Sequence, residues 1–135
     1  MEDRIKIEIE VVVTGENIDD ILATALEGGI NYWCDRAEVV GDYLGDFASE
    51  QISRGGQLKL FDFEAEEVYL LTKEKLIDGI KKYLTDPDKP YDILESGTDS
   101  VGCSKGESVI DCCMVDASVA DMIIQYALFG EVIYG

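Results

Sequence analysis

The 135-residue sequence contains no histidine, which removes imidazole-based catalysis and the common zinc patterns from consideration. Cysteine is sparse and poorly spaced for a site. Cys34, Cys103, Cys112 and Cys113 include no C-x-x-C pair, and neighbours such as Cys112 and Cys113 seldom bridge each other because the ring is strained. Four reduced, mostly packed thiols in a cytoplasmic protein are expected. No apolar run approaches the roughly 18–20 residues of a membrane span, and Met1-Glu2-Asp3-Arg4 carries acid where a secretory signal would be basic. Cations are also few: 11 Lys and Arg against 29 Asp and Glu leave a net charge of −18. That field repels nucleic acid and anionic membrane at long range, so neither is an expected direct partner. Despite the many carboxylates, neither Asp86-x-Asp88 nor the stretch from Asp99 to Asp111 follows the D-x-[DN]-x-[DN]-G calcium loop, and no metal or cofactor is expected.

What remains is globular in composition. With 47% hydrophobic residues and a mean hydropathy near zero, the chain has enough apolar surface to offset the entropy of ordering. Its length suits one domain over residues 1–135. Size scaling gives roughly 7,000 Å² folded against about 21,600 Å² unfolded, a burial sufficient without staples.

Ile5 to Val11 alternates apolar and charged residues and then runs into Val12-Val13, like a half-buried strand. Ile18, Ile21, Leu22, Ala25 and Leu26 recur at helical spacing behind Asn17 as N-cap, predicting a helix over 18–27 that Gly28 and Gly29 stop. Residues 30–51 fit either a strand from Trp33 to Val40 or one helix face carrying Asp35, Glu38, Asp42, Asp46 and Glu50, although Gly41 and Gly45 oppose a continuous helix. Gln57 to Phe63 and Glu67 to Leu71 read as a hairpin, Thr72 as the cap of a helix over 73–84, and Asp116 as the cap of a helix over 117–128. The last helix is apolar around nearly its whole circumference, as a helix buried in the core or shared with a second subunit would be. Residues 131–135 read as a short final strand, and the Gly- and Ser-rich residues 95–113 as a surface loop. The expected fold class is α/β (α+β): a mixed or antiparallel sheet of four or five strands with three helices.

Three constellations could carry chemistry. In Ala25-Leu-Glu-Gly-Gly-Ile-Asn-Tyr-Trp-Cys34, Asn31, Tyr32 and Trp33 offer an amide and two stacking faces beside glycines, with Glu27 nearby; they line either a pocket or the core. Arg54-Gly55-Gly56 can place a guanidinium and free N–H groups around an anion, or is a hairpin approach with a solvated arginine. Gln125-Tyr126 inserts polar groups into an apolar helix, as core hydrogen-bonding groups or as a pocket wall. No nucleophile and base stand out, so a non-enzymatic protein is expected.

Together, A-L-E-G-G-I-N-Y-W-C at 25–34, R-G-G at 54–56 and A-D-M-I-I-Q-Y-A-L-F-G-E-V-I-Y-G at 120–135 resemble a family of small, mostly uncharacterised proteins encoded by bacteriophages and mobile elements. Residues 95–113 lie outside the resemblance, which supplies no catalytic residues. It implies a phage-type, anti-defence binding protein. Two readings follow. The first is sequestration of a nucleotide-like small molecule by Glu27, Asn31, Tyr32, Trp33, Arg54, Gln125 and Tyr126. The second is a DNA mimic whose acidic face of Asp35, Glu38, Asp42, Asp46 and Glu50 binds a basic host defence protein. The acidic charge is lopsided, with 17 acids and 5 bases in residues 1–67 against 12 and 6 in 68–135. The ligand reading stands first, because the glycine-aromatic motif is the less common use of residues. Homo-oligomerisation through the apolar helix 117–128 is expected in addition.

Overall fold

The computed structural model describes residues 10–94 and 107–135, and all structural statements concern these. The elements in chain order are β1 (Glu10–Val12), α1 (Gly15–Thr24), β2 (Cys34–Val39), β3 (Leu58–Asp62), β4 (Glu67–Leu71), α2 (Lys73–Thr85), β5 (Glu107–Val109) and α3 (Ala117–Phe129). The chain is therefore mixed α and β with three helices, but its five strands form two sheets. β2, β3 and β4 make an antiparallel sheet in that order, while β1 and β5 form a separate parallel pair. The expected beginning of the first strand, at 5–9, and most of the expected loop, at 95–106, lie outside the described residues. The end of that loop is ordered as β5 and a short helical turn at Cys112–Met114.

Local signals explain the helix boundaries. Thr14, rather than Asn17, caps α1: its hydroxyl accepts from the Asn17 N–H at 3.1 Å, and the Asn17 side chain accepts from the Thr14 N–H at 2.9 Å, a reciprocal box. Asn17 is thus the third residue of the first turn. α1 continues as one wider π-type turn over Ala25–Gly29. Thr72 and Asp116 cap α2 and α3 through Lys75 and Val119 N–H, and Gly130, at φ 77°, ends α3 in the left-handed conformation glycine tolerates.

α3 runs through the middle of the molecule. Val119, Ala120, Ile123 and Ile124 are buried among Ile21, Leu22, Ile80, Leu60 and Leu71 in one core. Gly79 lets α2 cross closely, since a Cβ there would lie 2.6 Å from the Ile123 carbonyl oxygen. Met122, Tyr126, Ala127, Leu128 and Phe129 of the same helix are half-buried against this core. Residues 131–135 form no strand; they fold back as a strap against α3.

Candidate interaction surface

The glycine-aromatic motif and the C-terminal motif meet in the core. Gly29 packs against the start of α3, where a Cβ would sit 2.7 Å from the Ala117 carbonyl oxygen. Trp33 is wholly buried, stacked on Tyr134 with ring centroids 5.4 Å apart and tilted against Phe129. Its Nε1–H donates to Asp121 Oδ1 at 2.8 Å, Tyr32 O–H donates to Asp121 Oδ2 at 2.6 Å, and Gln125 Nε2 donates to Asp121 Oδ1 at 2.9 Å. Gln125 Oε1 accepts the backbone N–H of both Ile133 and Tyr134 at 2.8 Å, which fastens the strap. Burial and the Asp121 carboxylate push the Tyr32 phenol well above its ordinary value. No buried side-chain polar atom among the described residues lacks a partner, those of this cluster included. Trp33 and Gln125 accordingly occupy core positions. Tyr32 stays exposed although its hydroxyl is committed to Asp121.

The other predicted ligand groups do not converge on it. Tyr126 donates to Asp86, past the end of α2, and that hydrogen bond raises its phenol to about 12. Arg54 is exposed and lies over Gly45, where a Cβ would meet its Nε at 2.8 Å. Gly55, at φ 90°, and Gly56 do border a cavity of about 680 Å³ with Thr72, Lys73 and Ile77, but Arg54 is not in its lining. Asn31 is exposed beside a hollow of about 260 Å³ shared with Leu26, Asp35, Arg36 and Ala48.

The acidic residues share no helix face; only Glu50 is helical, in a short 3-10 turn over Ala48–Glu50. Asp35 is the extra residue of a bulge between Cys34 and Arg36 and is exposed, and Glu38 pairs with Arg36 at 3.4 Å. Asp42, Asp46 and Glu50 belong to a loop wound around the buried side chain of Gln51. Gln51 Nε2 donates to the Asp42 carbonyl oxygen and its Oε1 accepts the Leu44 N–H, both at 3.0 Å. Glu50 Oε1 accepts the N–H groups of Asp46 at 2.8 Å and Phe47 at 3.2 Å. Gly56 makes room, because a Cβ there would stand 2.5 Å from Gln51 Nε2.

This internal scaffold turns three large apolar side chains outward: Phe47 is 67% exposed, Tyr43 61% and Leu44 48%. Phe47 borders a hollow of about 350 Å³ with Leu26 and Glu27. Leu26 also lines the hollow of Asn31 and Asp35, so Phe47 and Glu27 adjoin that second hollow through it. Neither Tyr43, Leu44 nor Phe47 was singled out in the sequence. The available signal was an apolar triplet, G-D-Y-L-G-D-F, interspersed with turn-forming glycines.

No family model matches the chain, and no curated protein or solved structure is significantly similar to it. No helix among the described residues is long and apolar enough to cross a membrane.

Proposed function

We propose that this chain is a non-enzymatic, phage-type binding protein that occupies a basic, nucleic-acid-binding surface of a host defence protein through the face around residues 41–50. The observation that carries this reading is the outward projection of Tyr43, Leu44 and Phe47, beside Asp42 and Asp46 in sequence and with Glu27 next to Phe47, from a loop held by Gln51 and Glu50. Soluble proteins rarely leave contiguous large apolar groups exposed without an interaction for them to make. Aromatic groups in a charged rim are the usual anchors of protein recognition, and a loop already hydrogen-bonded into shape loses little entropy on docking. The carboxylates add long-range steering toward a basic face.

The ligand reading drops to second, because Trp33 offers no free ring face for stacking. One observation favours it: the cavity beside Gly55, Gly56 and Lys73 is within the roughly 300–1,000 Å³ typical of small-molecule sites. Native mass spectrometry of freshly purified protein would reveal such a ligand as a mass adduct.

The docking reading is tested by passing bacterial lysate over immobilised wild-type protein and over the Tyr43→Ala/Phe47→Ala variant. A basic protein held by wild type, lost by the variant, released by salt and displaced by duplex DNA or RNA supports it. Equal retention by both baits, or indifference to nucleic acid, contradicts it.

A further inference from the structure

Gln51 and Glu50 spend their polar groups on the shape of the loop at residues 41–50, and Ser53 O–H donates to Asp19 Oδ1 at 2.5 Å, which ties the chain just beyond the loop to α1. The hollow of about 350 Å³ where this loop meets the end of α1 is different. Ala23, Leu26 and Phe47 give it an apolar lining, and Glu27 and Ser49 contribute its two polar side chains. Neither the Glu27 carboxylate nor the Ser49 hydroxyl has a hydrogen-bond or ion-pair partner among the described residues. No cation of the chain lines this hollow, whereas the neighbouring one around Asn31 and Asp35 already contains Arg36. It therefore offers uncommitted acceptors beside an exposed aromatic ring and holds no donor cation of its own.

We infer that this hollow receives an arginine side chain from the partner's basic surface, an inference that rests on the docking reading and names the group that the face recognises. A guanidinium is the complement of what the hollow presents. It is planar and weakly hydrated, so its face can lie on the Phe47 ring while its edge, with five N–H donors, meets the carboxylate and the hydroxyl. The ammonium of lysine is a compact, strongly hydrated point charge, which would shed water against Ala23 and Leu26 and has no planar face to set on the ring. An anionic group is opposed by Glu27 and by the net charge of −18. The chain contains one example of the same pairing: the Arg36 guanidinium carbon lies 4.0 Å from the Phe61 ring centroid while Arg36 Nε pairs with Glu38 at 3.4 Å. Phe47 and Glu27 offer the same two groups to an arginine from outside. Arginine is also the residue that surfaces recognising phosphate favour, so the proposed partner carries it where this face docks. Glu27 sits in the π-type turn and Ser49 in the turn at Ala48–Glu50, so the backbone of the site is ordered before docking and little entropy is lost.

Fluorescence anisotropy of the full chain with two labelled peptides of equal length and charge, one alternating Gly and Arg and the other Gly and Lys, tests the inference. Wild type is expected to bind the arginine peptide at least threefold more tightly than the lysine peptide. Phe47→Leu keeps an apolar side chain but removes the ring, and should abolish that preference. Glu27→Gln should reduce it, whereas Glu64→Gln, the same loss of charge at the exposed hairpin turn, should leave it intact. All three side chains are exposed, and circular dichroism confirms that each variant folds. Equal affinity of wild type for the two peptides overturns the inference. So does a preference that survives Phe47→Leu, or one that Glu64→Gln lowers as much as Glu27→Gln does, which makes net charge the cause. A host protein captured through Phe47 by a chain without arginine preference overturns the inference and leaves the docking reading standing. A preference that depends on Phe47 and Glu27 in a chain that captures no host protein supports the guanidinium site and overturns the docking reading instead.

Discussion

Trp33 Nε1 and Asp121 Oδ1 lie 2.8 Å apart in the core, joining the end of the glycine-aromatic motif to the second turn of α3. The carboxylate also receives Tyr32 and Gln125, so one side chain satisfies three donors from two distant parts of the chain. The motifs at 25–34 and 120–135 recognise each other, and that is the structural reason for their unusual residues.

Removal of the shared acceptor should therefore be costly. Asp121→Ala leaves the Trp33 and Gln125 donors without it inside the core, at about 2–4 kcal/mol. Urea unfolding measures this as a lower midpoint with an unchanged slope. A loss below about 0.5 kcal/mol would show that the cluster adds nothing to the fold.

Gln125 should control the strap separately. Gln125→Leu puts an apolar side chain of similar size in its place and removes the acceptor of the Ile133 and Tyr134 N–H groups. Hydrogen exchange at these two amides should accelerate toward the rate of an open chain, whereas exchange in the middle of α2 should change far less.

Much of the fold was legible because it is written locally. Thr72 and Asp116 are followed at three residues by the N–H groups that they accept, and the 57–71 hairpin is an alternation interrupted by polar residues. What could not be read depends on contacts between residues without a common period. The loop 41–50 owes its shape to Gln51, whose amide lies under the loop rather than on any repeating face. Residues 131–135 have a strand-like composition, but Gln125 takes the two backbone N–H groups that a strand would have given to a neighbour. Asp121 was missed although an acid four residues before Gln125 in an apolar helix is a visible signal of a buried pair.

Alkali should weaken the fold in a defined window. Tyr134 donates to Asp62 Oδ2 at 2.7 Å, Tyr126 donates to Asp86, and these hydrogen bonds raise both phenols from 10 to about 12. A folded value above the unfolded one means that the folded state holds its protons longer. The stabilisation is then complete below pH 10 and is lost as pH rises through about 12. Urea midpoints measured across this range should fall for wild type and fall less for Tyr126→Phe/Tyr134→Phe.

The most direct measurement of the central claim is a comparison of affinities for the captured basic partner. Phe47→Ala removes an exposed anchor from the acidic loop, and Trp33→Phe alters the buried motif without touching that loop. With both variants shown to be folded, Phe47→Ala is predicted to lose at least tenfold in affinity, about 1.4 kcal/mol, and Trp33→Phe to stay within about twofold. The reverse pattern, binding lost with Trp33→Phe and kept with Phe47→Ala, would contradict the account and return the site to the glycine-aromatic motif.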